Sequence, residues 1–317
     1  MSRSFEVQGH RGCRGLKPEN TFPAFETALD LQVTALEFDL HLSKDGVPII
    51  CHDPRLSVKF ARLAEGSKAP DPSTKPLLSR LTNAELRGYI VDKNPEPHRF
   101  PAQNANPTPL AEVFCNERGL QMYGLPALDD LFDFVEAYAG KLGEKIGKTA
   151  EQRQRARSVR FNLELKRVPY YPVTVADGFN GSKPAIFEKR VMEMIRSASV
   201  QDWCIIQSFD HRSLRVFRQL EQPMEPQLTM AALVSGMVPA SPAQVLKDAG
   251  AQIYSPDYVF LDRQLVKELH ESNYKVIPYT VNEVEEMQRL LDWEVDGIIT
   301  DYPDRLIPLV QARHWWF

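Results

Sequence analysis

The chain has 317 residues, 43% hydrophobic and 25% charged, with a formal net charge of −4. That is an ordinary globular composition, long enough for one large domain or two smaller ones. The slight acidic excess gives no electrostatic reason to expect nucleic acid or an anionic membrane as a partner, and no apolar run approaches the length of a membrane span.

MSRSFEVQGH carries no signal-peptide pattern and runs straight into a strand, FEVQGH, that ends in His10-Arg11-Gly12. A helix follows in KPENTFPAFETALDL, with Thr21 as its cap and Pro23 tolerated in the first turn; Glu19 lies on the loop leaving His10-Arg11. Residues 35–53 read ALEFDLHLSKDGVPIICHD, with Asp45-Gly46 as the signal for a two-residue hairpin. That register pairs Lys44 with Val47 and Asp39 with His52, so Glu37, Asp39 and His52 share a face. Phe38, Leu40, Leu42, Ile49 and Cys51 then form the apolar face, and a slip of one residue would bring His52 onto it. A bulged three-residue turn is the alternative. His41 also shares the Asp39 face but lies nearer the turn, where it is expected to sit on the rim.

Residues 54–125 are rich in Pro and Asn and hold one helix signal, LTNAELRGYI. They read as a rim insertion, so 1–317 is expected to be a single domain. Beyond them come a helical LDDLFDFVEAYAG, a charged connector KLGEKIGKTAEQRQRARSVR and the strand RFNLELK. Residues 167–185 follow that strand and should lie over its C-terminal end. The strands CIIQSF, LTMAAL, QIYSP, VIPYTV and GIITD then alternate with the helical patterns AIFEKRVMEMIRSA, HRSLRVFRQL, PAQVLKDAG, DRQLVKELHESN and EVEEMQRLLDWE. Eight strands with intervening helices predict an α/β fold, a (β/α)8 TIM barrel, with the hairpin and the rim insertion after the second barrel strand. A doubly wound open sheet is the alternative, but no G-x-G-x-x-G loop follows the first strand. Four cysteines without metal or disulfide spacing point to free thiols and a cytoplasmic compartment; a leader already removed would look the same.

Both faces of a parallel barrel strand are normally buried, so acids near strand C-termini need an explanation. Glu37 and Asp39 lie two apart on one strand, and Glu164 alternates with Leu163 and Leu165 on another. Close carboxylates repel unless a proton or cation intervenes, and oxygen ligands favour Mg²⁺ or Ca²⁺ over zinc. Structural acids paired with Lys166 or Arg11 are the blander alternative. His10 and His52 follow strands beside these acids and can exchange a proton near neutral pH. Arg11 and Lys166 add the positive charge that a phosphate needs.

GHRGCRGLKPENT, LEFDLHLSKDGVPIICHD, NLELK, IIQSF, YTVN and GIITDYP, in that order, resemble the glycerophosphodiester phosphodiesterase family. The resemblance implies a barrel that uses a divalent cation to cleave glycerophosphodiesters such as glycerophosphocholine into glycerol 3-phosphate and an alcohol. It implies His10 and His52 as the catalytic histidines, Glu37, Asp39 and Glu164 as metal ligands, and Arg11 and Lys166 as substrate contacts. Glu19 would support the loop, and Tyr279 stands where the family often has Trp. His52 is the expected base and His10 the expected acid. The alternatives are a lysophospholipase D-like or phospholipase C-like enzyme on intact lipid, with Tyr170, Tyr171 and Phe179 as an apolar rim, or an inactive barrel that only binds a phosphorylated ligand.

Overall fold

A computed structural model describes residues 5–223 and 225–315. Its strands are β1 (Glu6–Gly9), β2 (Ala35–Leu42), β3 (Pro48–Ile50), β4 (Arg62–Leu63), β5 (Tyr89–Ile90), β6 (Arg160–Leu165), β7 (Cys204–Ser208), β8 (Thr229–Val234), β9 (Ile253–Pro256), β10 (Lys275–Val276) and β11 (Gly297–Thr300). Eight of them pair in parallel in the order β10-β9-β8-β7-β6-β2-β1-β11. The Ile299 N–H donates to the Pro278 carbonyl and the Val281 N–H to the Ile299 carbonyl, each at 3.0 Å, and these bonds join the two ends of the sheet. All eight expected barrel strands are present, and the (β/α)8 architecture stands.

Outward residues such as Val7, Phe38, Leu163 and Ile298 form the main core with the surrounding helices. The interior is divided. Ile205, Ala231, Ile253, Ile277 and Ile299 fill one side. On the other, Gln8, Glu37, Asp39, Asn162, Glu164 and Gln207 are buried polar groups. These need hydrogen-bond partners. Asn162 Nδ2 donates to Gln8 Oε1 (2.7 Å) and Gln207 Oε1 (3.1 Å), and Gln207 Nε2 donates on to Glu37 Oε1 (2.8 Å). The barrel floor thereby orients the first of the three acids.

Residues 54–125 contain more order than their composition suggests. LTNAELRGYI gives only one turn of helix, Asn83–Leu86, whereas Pro109–Arg118 is a full helix that the sequence reading missed. It belongs to the barrel's helical layer, with Leu110, Ala111 and Phe114 in the main core. The buried Glu26 carboxylate accepts from Leu110 N (3.0 Å) and Ala111 N (2.8 Å), satisfying donors that a helix start leaves open. The rest folds over β3 around a second core that includes Leu56, Leu78, Leu86 and Tyr89.

The hairpin register differs from the expected one. Leu40 pairs with Ile50 and His41 with Ile49, so Asp39 opposes Cys51, not His52. The turn is the three-residue form: Ser43 and Val47 close a loop of Lys44, Asp45 and Gly46, with Gly46 at φ +80°. Asp45 is drawn away to accept from Asn83 N (2.9 Å). A single apolar face does not fix the register of this hairpin. Ile50 belongs to the main core while Ile49 and Cys51 belong to the second, so both faces of β3 are buried.

Candidate active site

The HRG turn begins the site. After β1 the chain reverses with Arg11 at φ +52° and Gly12 at φ +84°, and a Cβ on Gly12 would meet the Ala24 backbone at 2.7 Å. Only glycine fits there. The turn leaves His10 at the C-terminal end of β1, its Nδ1 2.6 Å from Asp301 Oδ1 and its Nε2 4.0 Å from Glu37 Oε2. Arg11 donates from its backbone to Glu37 Oε2 (3.0 Å) and from its guanidinium to both oxygens of Glu19 (2.9 and 2.8 Å).

Asp39 and Glu164 are direct neighbours across β2 and β6, and Glu37 precedes Asp39 on the same face. Their ligand oxygens all lie within 4.8 Å of one another. Asn20 Nδ2 donates to Asp39 Oδ2 (2.9 Å). Lys166 Nζ stands 2.9 Å from Glu164 Oε1 and 3.1 Å from Asp39 Oδ1, yet Asp39 Oδ1 has no well-directed hydrogen bond. Burial, with Asp39 and Glu164 adding like charge, pushes Glu37 well above the usual carboxylate range. Burial also opposes ionisation of Asp39, but Lys166 and Arg11 outweigh it and hold that carboxyl well below its ordinary value. Three crowded acids, one with an unsatisfied oxygen and two, Glu37 and Glu164, that burial makes resist ionisation, are a fit for a hard divalent cation.

His52 lies just beyond β3, its side chain about one-third exposed and its Nδ1 2.8 Å from Asp53 Oδ1. His10, Arg11, Glu37, His52, Glu164, Lys166 and Tyr279 line one cleft of about 580 Å³, with Asp39 buried beneath. Eight of the nine anticipated residues thus converge, counting Glu19, which also lines the cleft; Asp39 completes the set from below. His52 reaches the site by a bend after the strand, not by the expected pairing with Asp39. His41 is not a rim residue: it is 1% exposed. Tyr279 donates to the Val234 carbonyl (2.9 Å) and packs edge-on against Phe209 at 5.9 Å.

The sequence reading overlooked Asp301. It accepts from Arg14 Nε (2.8 Å) and Asn282 Nδ2 (2.7 Å) as well as facing His10. Burial opposes its charge, but His10 and Arg14 hold its carboxyl below the ordinary range. The signal was available: an acid directly after a barrel strand, in GIITD. Burial, with Arg11 and Arg14 nearby, lowers His10 to about 4 despite Asp301.

Residues 10–305 match the model of the glycerophosphoryl diester phosphodiesterase family. The chain belongs to this family. A glycerophosphodiester phosphodiesterase of Bacillus altitudinis is 26% identical over 96% of this chain and 97% of its own length. One of Bacillus subtilis is 29% identical over 93% and 83%. A solved structure from Silicibacter pomeroyi, assigned to the glycerophosphoryl diester phosphodiesterases, superposes with a TM-score of 0.76 at 26% identity, covering 99% of this chain and 96% of that one. The chain is a phosphoric diester hydrolase on a TIM barrel, and its acidic cluster suits the divalent cation on which such enzymes depend. No helix among the described residues is long and apolar enough to cross a membrane.

Proposed function

We propose that this phosphodiesterase hydrolyses small glycerophosphodiesters, glycerophosphocholine among them, to glycerol 3-phosphate and an alcohol, and that the whole chain, with residues 54–125 walling the cleft, acts as one catalytic unit. The observation that carries the reading is the convergence of three carboxylates and two carboxylate-paired histidines in one cleft. Glu37, Asp39 and Glu164 would hold the ion, Mg²⁺ or Ca²⁺ by their all-oxygen chemistry, and the ion would supply charge neutralisation at the phosphate. Arg11 and Lys166 bind the phosphate oxygens beside it, with Arg11 braced by Glu19.

The histidines exchange the protons, and the environments favour the reverse of the order expected from sequence. His10, buried and held neutral, is ready to accept from the attacking hydroxyl or water. His52, on the open cleft wall beside Asp53, is placed to protonate the leaving alkoxide. Four buried free thiols accord with a cytoplasmic setting.

One observation favours the second reading, an intact single-chain lipid as substrate. The loops after the adjacent strands β6, β7, β8 and β9 expose Tyr170 (89%), Phe209, Met237 (68%) and Val259 along one arc of the mouth. Phe179 does not contribute to it, because it lies against the Arg167 guanidinium at 4.0 Å. The test is a panel of glycerophosphodiesters and lysophospholipids, with and without chelator, alongside vesicle binding. Turnover of deacylated diesters alone supports the main reading. Turnover of lysophospholipids alone would replace it with the second.

A further inference from the structure

The resemblance assigns His41 no role and the residue does not line the cleft, yet it is a buried, chemically active group two residues from Asp39. Its Nε2 stands 3.0 Å from the backbone carbonyl oxygen of His52. A carbonyl only accepts, so Nε2 carries the proton and Nδ1 is the bare nitrogen. Nδ1 is buried without a hydrogen-bond partner. An unpartnered buried nitrogen costs free energy that a leucine of similar size would not. A residue chosen only for packing would not be expected to bear that cost.

The segment it touches is held on either side of the His52 carbonyl, by Cys51 in the second core and by the Leu78 N–H donating to the Pro54 carbonyl (3.0 Å). β3 ends at Ile50, and beyond it the chain leaves the sheet. The Cys51 N–H donates to the Asp39 carbonyl (3.0 Å), and the Cys51 thiol donates to the Asp53 carbonyl (3.4 Å). Between these two anchors, the His52 peptide is fixed by His41. Since β2 also carries Glu37 and Asp39, the bond ties the second histidine to the strand that supplies two of the three acids.

We propose that His41 is a positioning residue for the reaction: its Nε2–H holds the His52 carbonyl and so fixes the reach of the His52 imidazole to the scissile phosphate. This rests on the role given to His52 above. The bond is made by the outer ring nitrogen, whose place the side-chain nitrogen of glutamine takes and that of asparagine does not reach.

The experiment compares His41→Gln, His41→Asn and His41→Leu on glycerophosphocholine, or on the best diester found, at saturating Mg²⁺ or Ca²⁺. The expected result is that Asn and Leu lose kcat on the order of tenfold, with KM and metal affinity unchanged, while Gln restores most of it. Should Leu fail to fold, the Gln and Asn pair still decides, since both are polar amides of nearly the same chemistry. Equal kcat in Gln and Asn would overturn the proposal, as would a loss confined to KM or to metal affinity. If wild-type protein turns over no diester at all, it is the functional reading that fails, and the two failures are thereby distinct.

Discussion

His10 Nδ1 lies 2.6 Å from Asp301 Oδ1, across the seam where the first and last barrel strands pair. The contact fixes the ring and leaves Nε2 facing the acids. Replacing Asp301 by Asn offers an amide N–H to Nδ1, which favours the tautomer with its proton on Nε2 and removes the free acceptor. Asp301→Asn should therefore lower kcat by roughly 10²–10⁴-fold. A kcat within about threefold of wild type, in a folded variant, would remove the pair from the mechanism.

The buried histidines make a second expectation, in stability. Burial lowers His41, as it does His10, from 6.5 to about 4. Each stays neutral in the folded chain while its unfolded counterpart takes up a proton. The neutral native forms thus contribute full stability above about pH 6.5, and that contribution falls as the pH drops from there toward 4. Urea midpoints should decline across this window, and His41→Gln, with one titrating group fewer, should decline less. A parallel fall in both proteins would show that His41 does not titrate with the assigned shift.

Removal of divalent ions should abolish turnover, and Mg²⁺ or Ca²⁺ should restore it. Glu37→Gln should weaken ion affinity without unfolding the barrel, because Glu37 faces the cleft, burial already disfavours its charge, and the amide oxygen keeps one of the two bonds accepted from Gln207 and the Arg11 backbone. Calorimetric titration and a thermal melt check both halves. Unchanged ion affinity with a lowered melting temperature would make the acid structural.

The strands and the three acids were legible because each depends on a local period of two and on its place at a strand end. Glu37, Asp39 and Glu164 needed only that alternation. The hairpin register depended on partners far away in the chain: Asp45 is captured by Asn83, and the second core covers Ile49 and Cys51. Nothing within residues 35–53 announces either. Pro109–Arg118 was hidden by the Pro- and Asn-rich composition around it, and its buried start depends on Glu26, more than eighty residues earlier. Asp301 was visible as a strand-end acid, but its role appears only when the first and last strands meet.

Finally, His52→Ala and His41→Ala should part company in two ways, although both histidines come from one hairpin. His52 stands on the cleft wall, about one-third exposed, where its ring can meet substrate. His41 is sealed beneath, and its ring makes one hydrogen bond, to the His52 carbonyl. Loss of a positioned acid should cost about 10²–10⁴-fold in kcat, against the order of tenfold for a displaced one. The holes left behind differ as well. The His52→Ala hole opens to solvent, so added imidazole can enter it and restore part of the rate. The His41→Ala hole is closed, and imidazole placed there could not reproduce the bond to the His52 carbonyl without opening the hairpin. Rates measured against imidazole concentration should therefore rise for His52→Ala and stay flat for His41→Ala. Rescue of His41→Ala alone would mean that the proton-transfer residue is the buried histidine, and that the cleft-wall position has been given the wrong role.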